Sequence, residues 1–86
     1  MGKIYIIHDT IIWAKAYQSF EFALFAVVEF LQQENESFME RYNIDAPCVM
    51  ETYDKKDAAK GVAVATLYGE IKIFIKEIDL VGLAYL

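Results

Sequence analysis

The sequence predicts an α+β fold: a four-stranded, mostly antiparallel sheet with one long helix packed on one face. Two observations carry this prediction. Stretches rich in Ile, Val and Tyr near both ends of the chain alternate as strands do, and a central stretch repeats its apolar residues at the helical period. The predicted element order is β-β-α-(α)-β-β. The 86 residues fit a single domain covering positions 1–86.

The first part of the chain is predicted to form two strands and the start of the long helix. Residues 3–8 and 11–17 are rich in side chains that suit a pleated surface, and a polar break separates them. Ser19 is placed to cap a helix that begins near Phe20. From there the apolar residues share one arc of the helix, which indicates that the helix lies on the sheet.

The long helix is predicted to end in two steps. Glu34 and Asn35 fall on its apolar side, where polar groups are unfavourable, so we expect the helix to break or to overhang the sheet near residues 34–37. Pro47 disfavours the α conformation in the residue before it and ends the helical part. Residues 48–53 are ambiguous between a loop and a short strand.

The last part of the chain is predicted to form one helical turn followed by a hairpin. Asp54 can cap the turn, and Gly61 can end it in the left-handed conformation. Residues 62–68 and 71–80 alternate as strands do. The Gly-Glu pair at 69–70 between them suits a two-residue type II′ turn.

The composition indicates a protein that has a partner. Hydrophobic residues make up 57% of the chain, and so small a domain has little interior in which to bury them. The formal net charge of −5 disfavours non-specific binding to nucleic acid or to anionic membranes. Residues 34–57 in the middle of the chain are rich in aspartate and glutamate, and we interpret them as a face exposed to solvent. The alternative interpretation is a protein that imitates the negative charge of DNA. No apolar run is long enough to span a bilayer, and we expect a cytoplasmic protein that associates with itself, a dimer being favoured.

Two phenylalanines depart from the pattern of the long helix. Phe22 and Phe25 project from its polar side and flank Glu29, where packing within the domain does not require them. They are candidate contacts for a protein partner, with Glu29 at the rim. Alternatively, residues 38–53 cover them. The uncharged stretch 81–86 packs either on its own domain or on another subunit.

The sheet face turned away from the helix is the second candidate surface. Matching strand faces by side-chain chemistry places three aromatic residues and three lysines there. They are Trp13, Tyr17, Phe74, Lys15, Lys72 and Lys76. The aromatic residues would anchor a protein partner. In the alternative interpretation they stack a nucleotide or a short single strand while the lysines contact its phosphates, and a third possibility is that residues 38–53 cover this face.

No set of residues predicts catalysis or a bound cofactor. His8 stands beside Asp9, but the pair lacks a positioned nucleophile, and a histidine in a turn accounts for it. Cys48 is the lone cysteine and carries no sequence signal of a reactive thiol. The spacing of cysteine, histidine, aspartate and glycine suits neither zinc, calcium nor a phosphate loop. We therefore predict that the protein is not an enzyme and requires no metal or cofactor.

Three segments carry a resemblance to a known group of proteins. They read Lys-Ile-Tyr-Ile-Ile-His-Asp at 3–9, Ser-Phe-Glu-Phe-Ala-Leu at 19–24 and Ile-Lys-Glu-Ile-Asp-Leu at 75–80. In this layout of strands, a helix opened by Ser-x-Glu and a closing strand with an acidic-Leu ending, the chain resembles small orphan proteins of tailed bacteriophages. The resemblance implies a protein made during infection to bind and block a host or defence component, and it transfers no catalytic residues.

The leading functional interpretation combines these observations. It is a non-enzymatic protein-binding module that associates with itself and blocks a surface of another protein. Binding of a nucleotide or short single strand to the aromatic and lysine face of the sheet is the alternative.

Overall fold

The computed structural model describes residues 3–8 and 14–79, which form five strands and two helices. In chain order they are β1 (Lys3–His8), β2 (Ala14–Tyr17), α1 (Phe20–Tyr42), β3 (Cys48–Met50), α2 (Lys55–Ala59), β4 (Ala65–Leu67) and β5 (Ile71–Asp79). The α+β class and the single long helix are confirmed. The predicted number of four strands is wrong, because the ambiguous segment after Pro47 supplies β3. Trp13 and residues 80–86 lie outside the described residues.

The five strands form one antiparallel sheet in the order β2-β1-β5-β4-β3. β5 is nine residues long and pairs with both β1 and β4, so it joins the two halves of the sheet. Along this strand, Ile75 lies opposite Ile7 of β1. Ile73 lies opposite Ala65 of β4. Within the described chain, β2 and β3 are therefore the two edges of the sheet.

Helix α1 is capped at both ends. The Ser19 hydroxyl oxygen accepts a hydrogen bond from the backbone N–H of Phe22 at 3.1 Å. At the other end Asn43 adopts a left-handed φ of 56° and donates its N–H to the Met39 carbonyl at 3.0 Å. The predicted cap and helix start are confirmed.

The predicted break in α1 near residues 34–37 is wrong, because the helix continues unbroken to Tyr42. The two polar residues that suggested a break have partners. The Asn35 amide accepts the backbone N–H of Cys48 at 2.9 Å and donates to the carbonyl of the same residue at 3.0 Å. Glu34 accepts a hydrogen bond from the hydroxyl of Tyr68. These bonds satisfy polar groups on the side of the helix that faces the sheet.

Helix α2 is the predicted single helical segment. Asp54 caps it, since its carboxylate accepts the backbone N–H of Lys56 at 2.8 Å. Gly61 follows the helix with φ of 92°, a conformation that glycine adopts without a steric penalty. The predicted cap and the predicted left-handed glycine are both confirmed.

The hairpin between β4 and β5 turns one residue earlier than predicted. The Glu70 N–H donates to the Leu67 carbonyl at 3.0 Å, and the two central residues, Tyr68 and Gly69, have φ of 55° and 74°. Positive φ at both positions defines a type I′ turn, so the predicted type II′ turn is wrong. The hydroxyl of Tyr68 donates a hydrogen bond to Glu34 on α1.

Both helices pack on the sheet face that carries the side chains of Tyr5 and Ile7. Phe20 at the start of α1 meets Tyr5 edge to face, with the ring centroids 6.3 Å apart. Ala58 of α2 joins the same core. Among the described residues, the buried hydrophobic ones are Tyr5, Ile7, Phe20, Ala23, Val27, Leu31, Cys48, Ala58, Val64, Ala65, Leu67, Ile73 and Ile75.

The predicted grouping of aromatic residues and lysines on one sheet face is wrong. In the hairpin of β1 and β2, Tyr17 lies opposite Tyr5, and Lys15 lies opposite Ile7. Opposite residues of an antiparallel pair share a face, so Tyr17 and Lys15 lie on the face that carries the helices. The other face carries Phe74, Lys72 and Lys76. The prediction assigned faces by side-chain chemistry, whereas the register of the hairpin determines them.

Candidate protein-binding groove

A groove between the edge strand β2 and helix α1 contains most of the predicted contact residues. Its volume is about 490 Å³. It is lined by Ala16, Tyr17, Gln18, Phe22, Phe25, Ala26 and Glu29. The structure thus brings together four residues that the sequence singles out, Tyr17 with the three helix contacts. We call this feature the α1–β2 groove.

The wall of the α1–β2 groove is formed by Phe22 and Phe25. The helix turns Phe20 and Ala23 into the core, and the two phenylalanines between and after them consequently face outward. Phe22 is 64% exposed and Phe25 is 63% exposed. The alternative that residues 38–53 cover them is therefore wrong. At about 200 Å² per phenylalanine side chain, these fractions correspond to roughly 250 Å² of apolar surface in contact with water.

The floor of the α1–β2 groove is half-buried Tyr17, which also packs against the core. The ammonium group of Lys15 lies 5.9 Å from the centroid of the Tyr17 ring, within the range of a cation–π contact. Glu29 lines the groove from the helix. The groove therefore has an apolar centre with a cation close to it on the strand and an anion on the helix.

A second cavity, of about 400 Å³, lies beside strands β1 and β5 at the end of the sheet that α2 covers. There His8 stacks on Phe74, with ring centroids 5.3 Å apart and an interplanar angle of 20°. Lys76 also lines the cavity, while the Lys72 ammonium lies 3.3 Å from the Thr66 hydroxyl. The sequence analysis missed the stack of His8 on Phe74, because only the register of β1 with β5 places these two residues opposite each other.

A cluster of charged residues surrounds the core residue Tyr5. Its hydroxyl donates to a Glu77 carboxylate oxygen at 2.8 Å, and the Lys3 ammonium lies 3.5 Å from the other. The bond from Tyr5 and the charge of Lys3 lower the pKa of Glu77. The Lys55 ammonium lies 5.2 Å from the ring centroid of Tyr5, and interaction with Tyr5 raises the pKa of Lys55. Each of these charged groups contacts another side chain of the same domain, so we assign the cluster a structural role at this end of the sheet.

Cys48 and His8 are the two residues whose chemistry the sequence analysis considers. Cys48 is a buried free thiol, and burial raises its pKa, so the thiolate is disfavoured. Asp9, the predicted neighbour of His8, lies outside the described residues. Among positions 3–8 and 14–79, no three His, Cys, Asp or Glu residues are grouped so that they could hold a metal ion. Across the same positions, no helix has the length and apolar character needed to cross a membrane.

Comparison of the chain with protein-family models, with curated proteins and with solved structures finds no match.

Proposed function

We propose that the protein is a non-enzymatic protein-binding module and that the α1–β2 groove is its contact surface. The observation that carries the proposal is the exposure of Phe22 and Phe25, each more than half open to water, beside an edge strand. Isolated exposed apolar residues are common, but two adjacent aromatic rings lining one concave surface are typical of a recognition site. Aromatic residues also dominate the energetics of many protein interfaces.

The mode of action that we propose is occlusion. A module without catalytic groups acts by covering a surface that its partner needs, and the resemblance to small orphan phage proteins points to a host or defence protein in the cytoplasm as the target. Phe22 and Phe25 would supply the apolar anchor, and Glu29 would select a partner whose contact surface carries positive charge.

A selection of peptides tests the binding function directly. A displayed library of random peptides is panned against the wild-type protein, and the enriched peptides are titrated against the Phe25→Ser variant. We expect the affinity of these peptides to fall at least about tenfold, as for loss of a central aromatic anchor. Tyr53→Ser is the matched control, because Tyr53 is 64% exposed and lies outside the groove. No enrichment, or equal binding by the two variants, would refute the proposal.

Nucleotide binding is the second candidate function, and the cavity beside His8 and Phe74 is the observation in its favour. The Phe74 ring and the Lys76 ammonium could contact a base and a phosphate there. Tyr17 and Lys15 cannot belong to the same platform, because they lie on the opposite sheet face. Equilibrium dialysis of the protein against a panel of labelled nucleotides at two salt concentrations separates the two functions, since the groove proposal predicts no nucleotide binding.

A further inference from the structure

We infer that the occupant of the α1–β2 groove is a second copy of this chain, whose own β2 pairs antiparallel with the exposed edge of β2. The inference rests on the proposed function, because it uses the same groove, and a second copy seated there would compete with any target protein for Phe22 and Phe25. The two copies would form one continuous sheet of ten described strands, with a two-fold axis between the paired edges.

The direction of the backbone groups in β2 follows from the pairing of the strands. The carbonyl of Ile73 accepts the N–H of Val64, so the backbone of Ile73 points toward β4. Backbone direction alternates along an antiparallel strand, so Phe74 points toward β1, where it lies opposite His8. The registers of β1 with β5 and of β1 with β2 have no break, so the same alternation continues into β2. It directs the backbone N–H and C=O groups of Ala16 away from the sheet.

The exposed edge of β2 is therefore a ready hydrogen-bonding surface. β2 is the outermost strand among the described residues, and Ala16 lines the α1–β2 groove. A row of free backbone N–H and C=O groups pairs readily with another strand unless charge, proline or a bulge prevents it. Lys15 is the charged residue of β2, but its ammonium lies near the Tyr17 ring on the helix face of the sheet. The Ala16 side chain is small and uncharged, so it opposes no approaching backbone. Among residues 3–8 and 14–79, the groove thus combines a strand edge that has no partner with an apolar wall.

A two-fold register centred on Ala16 fits this edge. Ala16 of each copy would exchange about two hydrogen bonds with Ala16 of the other, and Ala14 of each copy would lie opposite Gln18 of the other. Opposite residues share a face in such a pair, so the two α1 helices would lie side by side on one face of the joined sheet. Phe22 and Phe25 of one copy would then meet the same residues of the second copy across the axis.

The charges near the groove are self-complementary, which favours a second copy over an unrelated strand. In the two-fold register Lys15 of one copy lies opposite Tyr17 of the other, where its ammonium can contact the ring face. Lys15 lies on the strand and Glu29 on the helix of each copy, so each copy offers the other both a cation and an anion near the groove. A two-fold interface requires such a patch, because the same surface serves both subunits.

The available area predicts a reversible dimer. The two phenylalanines offer roughly 250 Å² per copy, against about 800 Å² per partner in an interface of standard size. The two phenylalanines alone fall well short of that area, and the strand edge and the flanking side chains must supply the rest. We therefore expect a dimer that dissociates on dilution.

Sedimentation equilibrium measures the association directly. We expect the wild-type protein to show a monomer–dimer equilibrium, and Phe25→Ser to raise the dimer dissociation constant at least about tenfold. Tyr53→Ser is expected to leave the constant unchanged. A wild-type protein that stays monomeric up to about 1 mM would overturn the inference. The peptide selection can still succeed in that case, so failure of the dimer and failure of the binding function are distinguishable.

A cysteine placed at the two-fold axis tests the register. In a Cys48→Ala background, Ala16→Cys is compared with Lys72→Cys, which exposes a thiol on a strand inside the sheet. Cα atoms of a hydrogen-bonded antiparallel pair lie about 5.5 Å apart, within the range that a disulfide spans. We expect the Ala16→Cys dimer to crosslink at least about tenfold faster under mild oxidation than the Lys72→Cys protein. Equal rates would overturn the proposed strand pairing.

Discussion

At the scale of single residues, Tyr68 shows how one side chain joins three elements. It lies in the turn between β4 and β5, its hydroxyl donates to Glu34 of α1, and its ring packs tilted at 36° to the ring of Phe38, with centroids 4.9 Å apart. The hydrogen bond to Glu34 raises the pKa of Tyr68 well above its usual value of 10.0, because a proton lost from the hydroxyl would leave two anions in contact.

This shift predicts a late step in an alkaline titration of the protein. The hydroxyl of folded Tyr68 keeps its proton at pH values where an unfolded tyrosine loses it, so its contribution to stability is complete below about pH 10 and falls as the pH rises further. We expect ultraviolet absorbance to show one tyrosine ionising only near or after unfolding. In Tyr68→Phe this late step should disappear, and its persistence would assign it to another tyrosine.

Asn35 provides a stability prediction at the same scale. Its amide makes both hydrogen bonds with the backbone of Cys48 at the outer edge of the sheet. Asn35→Ala leaves a part-buried N–H and C=O without partners, so we expect the free energy of unfolding to fall by about 2 kcal/mol in urea denaturation. Gln33→Ala, at an exposed position of the same helix, should change it by less than about 0.5 kcal/mol. Similar losses of unfolding free energy in the two variants would mean that the Asn35 hydrogen bonds contribute little to stability.

At the scale of elements, the β4–β5 turn depends on its backbone conformation. Gly69 has φ of 74°, and a Cβ added there would have no atom within 4 Å, so the cost of a side chain is conformational and not steric. We expect Gly69→Ala to lower the free energy of unfolding by about 1 kcal/mol without altering the circular dichroism spectrum. An unchanged stability would contradict the type I′ assignment.

The elements also show what the sequence could and could not predict. Caps are local signals, and Ser19, Asp54 and Gly61 all act as predicted. Asn35 within α1 has its hydrogen-bond partner at Cys48, thirteen positions away, and no local pattern identifies such a partner. Strand β3 is only three residues long, too short for an alternating pattern to distinguish it from a loop.

The residues of the candidate site could likewise be predicted from the sequence only in part. The outward position of Phe22 and Phe25 follows from the helical period and could be predicted from the sequence. The sheet face of Tyr17 could not, because it depends on the register of β1 with β2, and a shift of one residue moves every side chain to the other face. The combination of Tyr17 with the two phenylalanines in one groove is therefore a finding of the structure.

At the scale of the whole molecule, the shape accounts for the exposed apolar surface. The radius of gyration is 14.1 Å, compared with about 12 Å for a compact domain of this length. The extents are 50 × 20 × 20 Å, so the molecule is elongated. An elongated body has more surface for the same volume, and a chain that is 57% hydrophobic cannot bury all of its apolar side chains within it. Association through the α1–β2 groove would remove part of this surface from water.

The central claim is that the groove phenylalanines serve association and are not part of the core. Urea unfolding of Phe25→Ala and Phe20→Ala, at concentrations where the protein is monomeric, tests it most directly because Phe20 on the same helix is only 3% exposed. We predict that Phe20→Ala lowers the free energy of unfolding by about 3 kcal/mol or more, whereas Phe25→Ala changes it by less than about 1 kcal/mol. Comparable losses in the two variants would show that Phe25 is a core residue and would contradict the account.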